Sequence, residues 1–479
     1  MSDTELPEPL NAPVSPTVTV DAPGGQLDRD DRLKPAFVDA VLEAVEAGDA
    51  DAARALVAPL HPADIADLFE LTPGDAREAL AAALADLLDA DVFAEMNDYV
   101  REDLIDDLSA QAVADIAAEL DTDDAVAIIE DLDADEQREV LRAMEPDDRA
   151  AIEEALSFPE ESAGRLMQRE LIAVPEHWTV GDTIDYLRSH EELTTDFWEV
   201  FVVDGRHHPV GTCALSWILR TPRSVGMTDL MAREQTLIPV DMDQEEVALR
   251  FQKYALISAA VVDGSGRLVG MITVDDIVHI IQQEAGEDAL LLSGAGEGDI
   301  NEPMRDTYVQ RVRWLVANLF TAMVASSIIA LFDGAIEQMV ALAILMPIVA
   351  SIGGNAGTQT MAVAVRALAT NQLTQSNTMR TIRREMTVAL LNGGTVALLL
   401  GLGAGLWFGN AQLGLVIAAA IVINVLVAGL AGVAVPVALE RLHQDPAVAS
   451  SVFVTMVTDS MGFFAFLGLA VATGLVTMG

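Results

Sequence analysis

At 479 residues, with 75 Asp and Glu against 27 Lys and Arg, the chain carries a formal charge of -48. From Asn301 onward acidic and basic residues balance at eight each, so 67 acidic and 19 basic residues lie before that point. A surface so acidic repels nucleic-acid phosphates, and a single cysteine, Cys213, excludes an intrachain disulfide framework or a cysteine-rich metal site. Lys34 and Lys253 are the only lysines; the composition reads as a salt-adapted, halophilic cytoplasmic surface more than as a sheet of metal ligands.

Residues 1–35 hold Pro7, Pro9, Pro13, Pro16 and Pro23 with no apolar run. They read as a disordered acidic tail without a signal peptide. From 36 to 159 Ala, Leu, Ile and Val recur at three- and four-residue spacing, which predicts an all-α domain. Within Ala110–Phe158 the pieces AVADIAAELD, DDAVAIIEDLD, DEQREVLRAMEP and DDRAAIEEAL follow at roughly 12-residue intervals, with acidic residues opening the last three, where the helix dipole favours them. Helices this short bury their apolar faces only by stacking, which predicts a superhelical scaffold.

After Gly164 strand and helix patterns alternate, twice over, in 160–227 and 228–281. The second copy, TLIPVDMDQEEVALRFQKYALISAAVVDGSGRLVGMITVDDIVHII, strongly resembles a CBS (cystathionine-β-synthase) module, and the first fairly so, which implies tandem CBS α/β domains. Residues 282–310 form a connecting segment. In 311–479 apolar runs at Trp314–Phe332, Met339–Ala369, Met386–Phe408, Leu413–Leu439 and Ala447–Met478 are each long enough to cross a lipid bilayer. Arg311 and Arg313, Arg380, Arg383 and Arg384, and Arg441 all fall on one side of five spans, while FDGAIEQ and FGNAQLG carry no Lys or Arg. The positive-inside rule then puts the N-terminus in the cytoplasm and the C-terminus outside a multi-pass cytoplasmic membrane protein.

Two runs carry chemistry. In the second span Pro347 precedes IVASIGGNAGTQT, which places Gly353, Gly354, Asn355, Gly357, Thr358, Gln359 and Thr360 in an apolar setting. Small residues there permit close helix packing; Asn and Gln with freed carbonyls also suit a break that lines a cavity. In the fifth span Asp459 is the one ionisable group well inside any run, with Thr455 a turn before it and Thr458 next to it. A carboxylate at that depth is costly and normally faces a water-filled path or a partner.

Together LHPADIADL (Leu60–Leu68), ESAGRLM (Glu161–Met167), the CBS pair, the P…GGNAGTQ run, DPA (Asp445–Ala447) and TDSMG (Thr458–Gly462) resemble the MgtE family of magnesium transporters, in order and spacing. The resemblance implies a homodimer with a pore at the dimer interface, Asp459 as the pore aspartate, Gly353–Gln359 as the signature motif, Glu337 at the outer mouth and 282–311 as a connecting, or plug, helix. It also implies a gating site for Mg²⁺ on Asp243, Glu245, Asp276, Glu284, Glu287 and Asp288. Bound Mg²⁺ would hold the closed state and its loss would let the carboxylates repel. Ala255 and His279 stand where relatives often carry Asp, and Ser450-Ser451-Val452 replaces a usual Gly or Asn followed by Pro. CBS modules often bind adenine nucleotides; the second keeps Gly270, Thr273 and Asp276 at the ribose-binding turn, a possible ATP site, whereas the first has Ala214 and Trp217.

Hard oxygen ligands and spans free of Cys and His suit Mg²⁺ over copper or zinc. The sequence thus predicts a Mg²⁺-selective, channel-like importer. The alternatives are a CBS-regulated transporter of Co²⁺ or Mn²⁺ and a non-transporting membrane Mg²⁺ sensor. Without a convincing nucleophile–base pair in the membrane half, an enzyme is not expected.

Overall fold

The computed structural model describes residues 25–106, 108–130, 132–189, 197–293 and 301–477. Two compact units divide the chain, Met1–Ile281 and Gln282–Gly479.

In the first unit, ten short helices among the described residues run from α1 (Pro35–Glu46) to α10 (Pro146–Ala155). The last four, α7 (Ala110–Ala117), α8 (Thr122–Glu130), α9 (Ala134–Ala143) and α10, begin at the 12-residue intervals of the repeat. Side-chain caps start many of the ten: Asp49 accepts from the amide of Ala52, Asp89 from Val92 and Ser109 from Ala112, each satisfying an amide the helix cannot. Their apolar faces meet in one core around Leu68, Phe69, Leu80, Val100, Ile128 and Ile129. The expected tail ends sooner than residue 35. Leu27 bridges to Leu33, Leu33 is buried in the helical core, and the Lys34 ammonium donates to the Gly25 carbonyl at 2.8 Å. Residues 1–24 lie outside the described residues.

The two α/β modules have one plan. The first has β1 (Ala173–Pro175), α11 (Val180–Ser189), β2 (Glu199–Val203), β3 (Pro209–Ala214), α12 (Leu215–Arg220) and α13 (Met227–Leu230). The second has β4 (Leu237–Pro239), α14 (Gln244–Tyr254), β5 (Ser258–Val262), β6 (Leu268–Thr273) and α15 (Val274–Ser293). In each sheet the first strand is parallel to the second and the second antiparallel to the third. Phe201 and Val203 of the first module share a core with Ala260, Leu268 and Met271 of the second.

The lead-in segments are exchanged. Ala163 and Gly164 donate to the carbonyls of Met242 and Val240, and Gln168 pairs with Met271, so ESAGRLM packs on the second module although it precedes the first. Reciprocally, Ala232 pairs with Thr212 of the first module. These crossings require glycine beneath them: a Cβ on Gly270 would stand 2.8 Å from the Gln168 carbonyl oxygen, and one on Gly211 2.7 Å from that of Ala232. α15 continues without interruption past residue 281, where the connecting segment was expected to begin.

The second unit holds α16 (Met304–Ala330), the short α17 (Asp333–Gln338), α18 (Val340–Ala369), α19 (Thr378–Trp407), α20 (Ala411–Arg441) and α21 (Pro446–Ala472). All but α17 are long and apolar enough to cross a membrane. α19 starts eight residues before the expected span, so Arg380, Arg383 and Arg384 stand on helix, and α21 ends at Ala472. The break allowed for around GGNAGTQ does not occur. α18 stays helical through Pro347 and the whole motif, and Asn424 of α20 donates to its Val349 carbonyl there. α20 is the most buried of the five. It approaches α19 backbone to backbone, with a Cβ on Gly414 falling 2.4 Å from the Gly401 carbonyl oxygen. At its far end, Leu291 and Leu292 of α15 pack on Met361, Val365, Ala447 and Val454.

Candidate ion pathway and carboxylate cluster

α18 has two contrasting faces. Gly353 and Gly357 are buried, and each is glycine for want of space. A Cβ on Gly353 would stand 2.0 Å from Nδ2 of Asn424 on α20, and one on Gly357 would stand 2.7 Å from Val454 and 3.2 Å from Thr458 of α21. Gly354, by contrast, has open space where its Cβ would be. The other face exposes Ser351, Asn355, Thr358 and Gln359, and among the described residues the amides of Asn355 and Gln359 have no hydrogen-bond partner.

On α21 Thr455 is exposed and Asp459 half-buried, and among the described residues Asp459 has no ion-pair or hydrogen-bond partner. Thr458 does not join them: it is fully buried against Gly357 and donates to the Thr455 carbonyl at 3.1 Å. α21 is helical through Ser450-Ser451-Val452, with Ser450 fully buried. Glu337 is exposed on α17, beside the Gln338 amide that ties α17 to Thr477 at 2.7 Å.

Asn424 was not singled out from the sequence. It is fully buried, donates to the Val349 carbonyl at 3.0 Å, and also lies where a Cβ on Gly462 would fall, 2.7 Å from its Nδ2. One side chain thus occupies the gaps left by a glycine of GGNAG and a glycine of TDSMG. Its signal was present, since it is the one polar residue between Leu413 and Leu439.

In the first unit the structure regroups the predicted regulatory acids. Asp276, in the first turn of α15, faces Asp123 and Asp124 at the start of α8. Burial, followed by the charge of Asp276, pushes Asp123 well above the usual carboxylate range and Asp124 up to about 6. Asp276 is raised too, mainly by burial, against the hydrogen bond that Thr273 donates to it at 2.6 Å. One Asp123 oxygen is buried without a partner. Asp123 and Asp124 were read only as residues opening a repeat, and nothing local marks them among so many acids.

Asp243 caps α14 by accepting from the Glu245 amide at 3.0 Å. Glu284 and Glu287 are half-buried on the part of α15 that belongs to the second unit, and the Asp288 side chain lies outside the described residues. Among the described residues no three metal-ligating side chains converge on one point. The oxygen-only donors and the unpartnered Asp123 oxygen nevertheless fit Mg²⁺, which keeps several waters and needs few direct carboxylates.

Three family models match the chain: the MgtE intracellular N domain over residues 60–161, the CBS domain over 227–283 and the MgtE divalent cation transporter over 346–469. The chain belongs to the MgtE family. The magnesium transporter MgtE of Bacillus subtilis is 32% identical over 320 residues, which are 66% of this chain and 70% of the relative. The protein of the same name from Thermus thermophilus is 34% identical over 316 residues, 65% of this chain and 70% of the relative. The cytosolic domain of the Mg²⁺ channel MgtE in complex with ATP covers 51% of this chain and 99% of its own, at 26% identity and a TM-score of 0.47. With five membrane-length apolar helices among the described residues, this MgtE family member is a multi-pass membrane protein. Its two glycine-bearing motifs, GGNAG and TDSMG, both fall inside the transporter match.

Proposed function

We propose that this protein imports Mg²⁺ through a channel-like pathway formed where two copies meet in the cytoplasmic membrane, with the N-terminus inside and the C-terminus outside. The observation that carries the reading is the polar face of α18, with Asn355 and Gln359 unpartnered, together with the Asp459 carboxylate of α21. Left in hydrocarbon, each unsatisfied polar group costs several kcal/mol. A second copy enclosing water removes that cost, which favours a homodimer.

The donors on offer are the Asp459 carboxylate, the Thr455 hydroxyl and the Asn355 and Gln359 amides. They are hard oxygens, and one carboxylate per subunit suits an ion that sheds its water reluctantly. Gly353 and Gly354 make room on α18, the first for Asn424 and the second for whatever passes its open side. Glu337 stands at the outer end.

Intracellular Mg²⁺ closes the pathway in this reading. Bound through few direct carboxylates, at the unpartnered Asp123 oxygen beside Asp276, and otherwise through its waters, it neutralises crowded charge that Asp124 adjoins; without it the carboxylates repel. Asp276 lies in the first turn of the helix that continues past residue 281, which supplies a covalent route for the signal. Asp243, Glu245, Glu284, Glu287 and Asp288 add further acidic positions. The turn of Gly270, Thr273 and Asp276 is also the proposed ATP site, in line with the ATP complex of the related cytosolic domain.

The test is Mg²⁺ uptake into proteoliposomes by the intact chain and by Asp459→Ala. Loss of uptake in a folded variant is expected. Unchanged uptake would overturn the pathway, and uptake by neither protein would favour the membrane sensor. Co²⁺ or Mn²⁺ entering faster than Mg²⁺ would favour the other-cation reading.

A further inference from the structure

On the arginine-rich side of the membrane unit, α18, α19, α20 and the loop joining α18 to α19 enclose a cavity of about 310 Å³. Arg366 borders it from α18, Arg384, Glu385 and Thr381 from α19, and Gln372 from the loop. Val363, Leu373 and Val433 supply apolar wall. Among the described residues the Arg366 side chain has no ion-pair or hydrogen-bond partner. The carboxylate oxygen nearest Arg384, on Glu385, is 4.0 Å away, beyond hydrogen-bond reach. Two guanidinium groups against one carboxylate leave the cavity net positive.

The α19 face that starts at Arg384 continues through Val388, Leu391, Leu398 and Leu402, all exposed. Those positions follow helical spacing on one side, and at 1.5 Å per residue they extend about 27 Å from Arg384, roughly the depth of the hydrocarbon. A cationic cavity leading onto an apolar strip of that length matches a phospholipid. A free phosphate would use the cavity and leave the strip idle.

We propose that this cavity binds the headgroup of an anionic phospholipid, with its phosphate on Arg366 and Arg384 and an acyl chain along the exposed face of α19. The planar guanidinium forks suit a phosphate, and basic pockets between membrane helices hold anionic headgroups in general. Thr381 and Gln372 offer neutral donors. Glu385 accepts from a headgroup hydroxyl and repels a further carboxylate, which favours a glycerol headgroup over a serine one.

The experiment is native mass spectrometry of the full chain titrated with phosphatidylglycerol or phosphatidylcholine, which reads bound lipids and subunit number together. The wild type is expected to prefer phosphatidylglycerol, and the Arg366→Gln/Arg384→Gln variant to bind it about 30-fold more weakly. Arg380→Gln/Arg383→Gln removes equal charge from the same side but outside the cavity, and is expected to retain most of the binding. Equal loss in both variants would overturn the proposal in favour of diffuse attraction. Displacement of the lipid by millimolar inorganic phosphate would overturn it in favour of a phosphate site. Unchanged lipid binding with loss of dimers in the Arg366→Gln/Arg384→Gln variant would assign the cavity to a contact between copies.

Discussion

Nδ2 of Asn424 on α20 donates a hydrogen bond of 3.0 Å to the carbonyl of Val349 on α18. The same amide fills the space above Gly353 and faces Gly462 of α21, so one buried side chain spaces three helices. The polar groups of α18 and the carboxylate of α21 are held in register by a residue with no exposure of its own.

Gly353→Ala is therefore expected to be more damaging than Gly354→Ala. Its methyl group would stand 2.0 Å from Asn424 Nδ2, whereas the neighbour has open space. Overpacking of this kind costs about 1–3 kcal/mol. Thermal unfolding in detergent, with uptake assays on both variants, checks the ranking; equal effects would mean that Asn424 yields freely.

Asn424→Leu keeps the branched side-chain shape, with more bulk, and removes the hydrogen bond to Val349. A loss of about 1 kcal/mol is expected, together with altered discrimination between Mg²⁺ and Co²⁺ as α18 shifts against α21. An unchanged selectivity ratio alongside lowered stability would confine Asn424 to packing.

The crowded carboxylates set a pH dependence. Asp123, Asp124 and Asp276 have raised folded-state pKa values, Asp124 up to about 6, so the folded protein binds more protons than the unfolded one between about pH 4 and pH 6. Metal-free stability contributed by Asp124 is then fully present below about pH 4, falls as pH rises through that window, and is lost above it; Asp123 and Asp276, also raised, act with the same sign. Mg²⁺ is expected to raise the Tm at pH 7.5 and to do so much less at pH 5, where protons occupy the same oxygens. In Asp123→Asn/Asp124→Asn the pH slope and the Mg²⁺ effect should both shrink. A Mg²⁺ effect on Tm that is equal at both pH values would argue against this cluster as the binding site.

Salt separates direct bridging from long-range repulsion. At about 1 M salt the Debye length is roughly 3 Å, so diffuse repulsion over an acidic surface is nearly silent. Uptake at fixed free Mg²⁺ is expected to stay suppressed in high salt and to rise when Mg²⁺ is withdrawn. Opening by salt as strong as opening by Mg²⁺ removal would sink the bridging account.

Thr273→Ala removes the hydroxyl that holds Asp276 at 2.6 Å. Calorimetry should record ATP binding to the intact chain and a large loss in this variant. No heat with either protein would remove the nucleotide from the mechanism.

Much of this was legible in advance, for local reasons. The 12-residue helical repeat, the doubled α/β pattern and the five apolar runs are each written in consecutive residues, and Asp459 stands out because every neighbour in its span is uncharged. Boundaries were less legible. α19 runs on through Arg380, Arg383 and Arg384 because long basic side chains are good helix formers whose heads still reach water.

By itself, the order of residues determined which segments are helices, strands and membrane spans, since periodicity and hydropathy are properties of a short window. It also determined the family, through motifs whose spacing survives in the chain. Only the tertiary structure decided that Asp276 meets Asp123 and Asp124, that ESAGRLM packs on the second α/β module, and that Asn424 is the reason for both Gly353 and Gly462. Each of these joins residues remote in sequence, and which acid among 67, or which glycine among 33, finds a partner is settled by close packing in three dimensions.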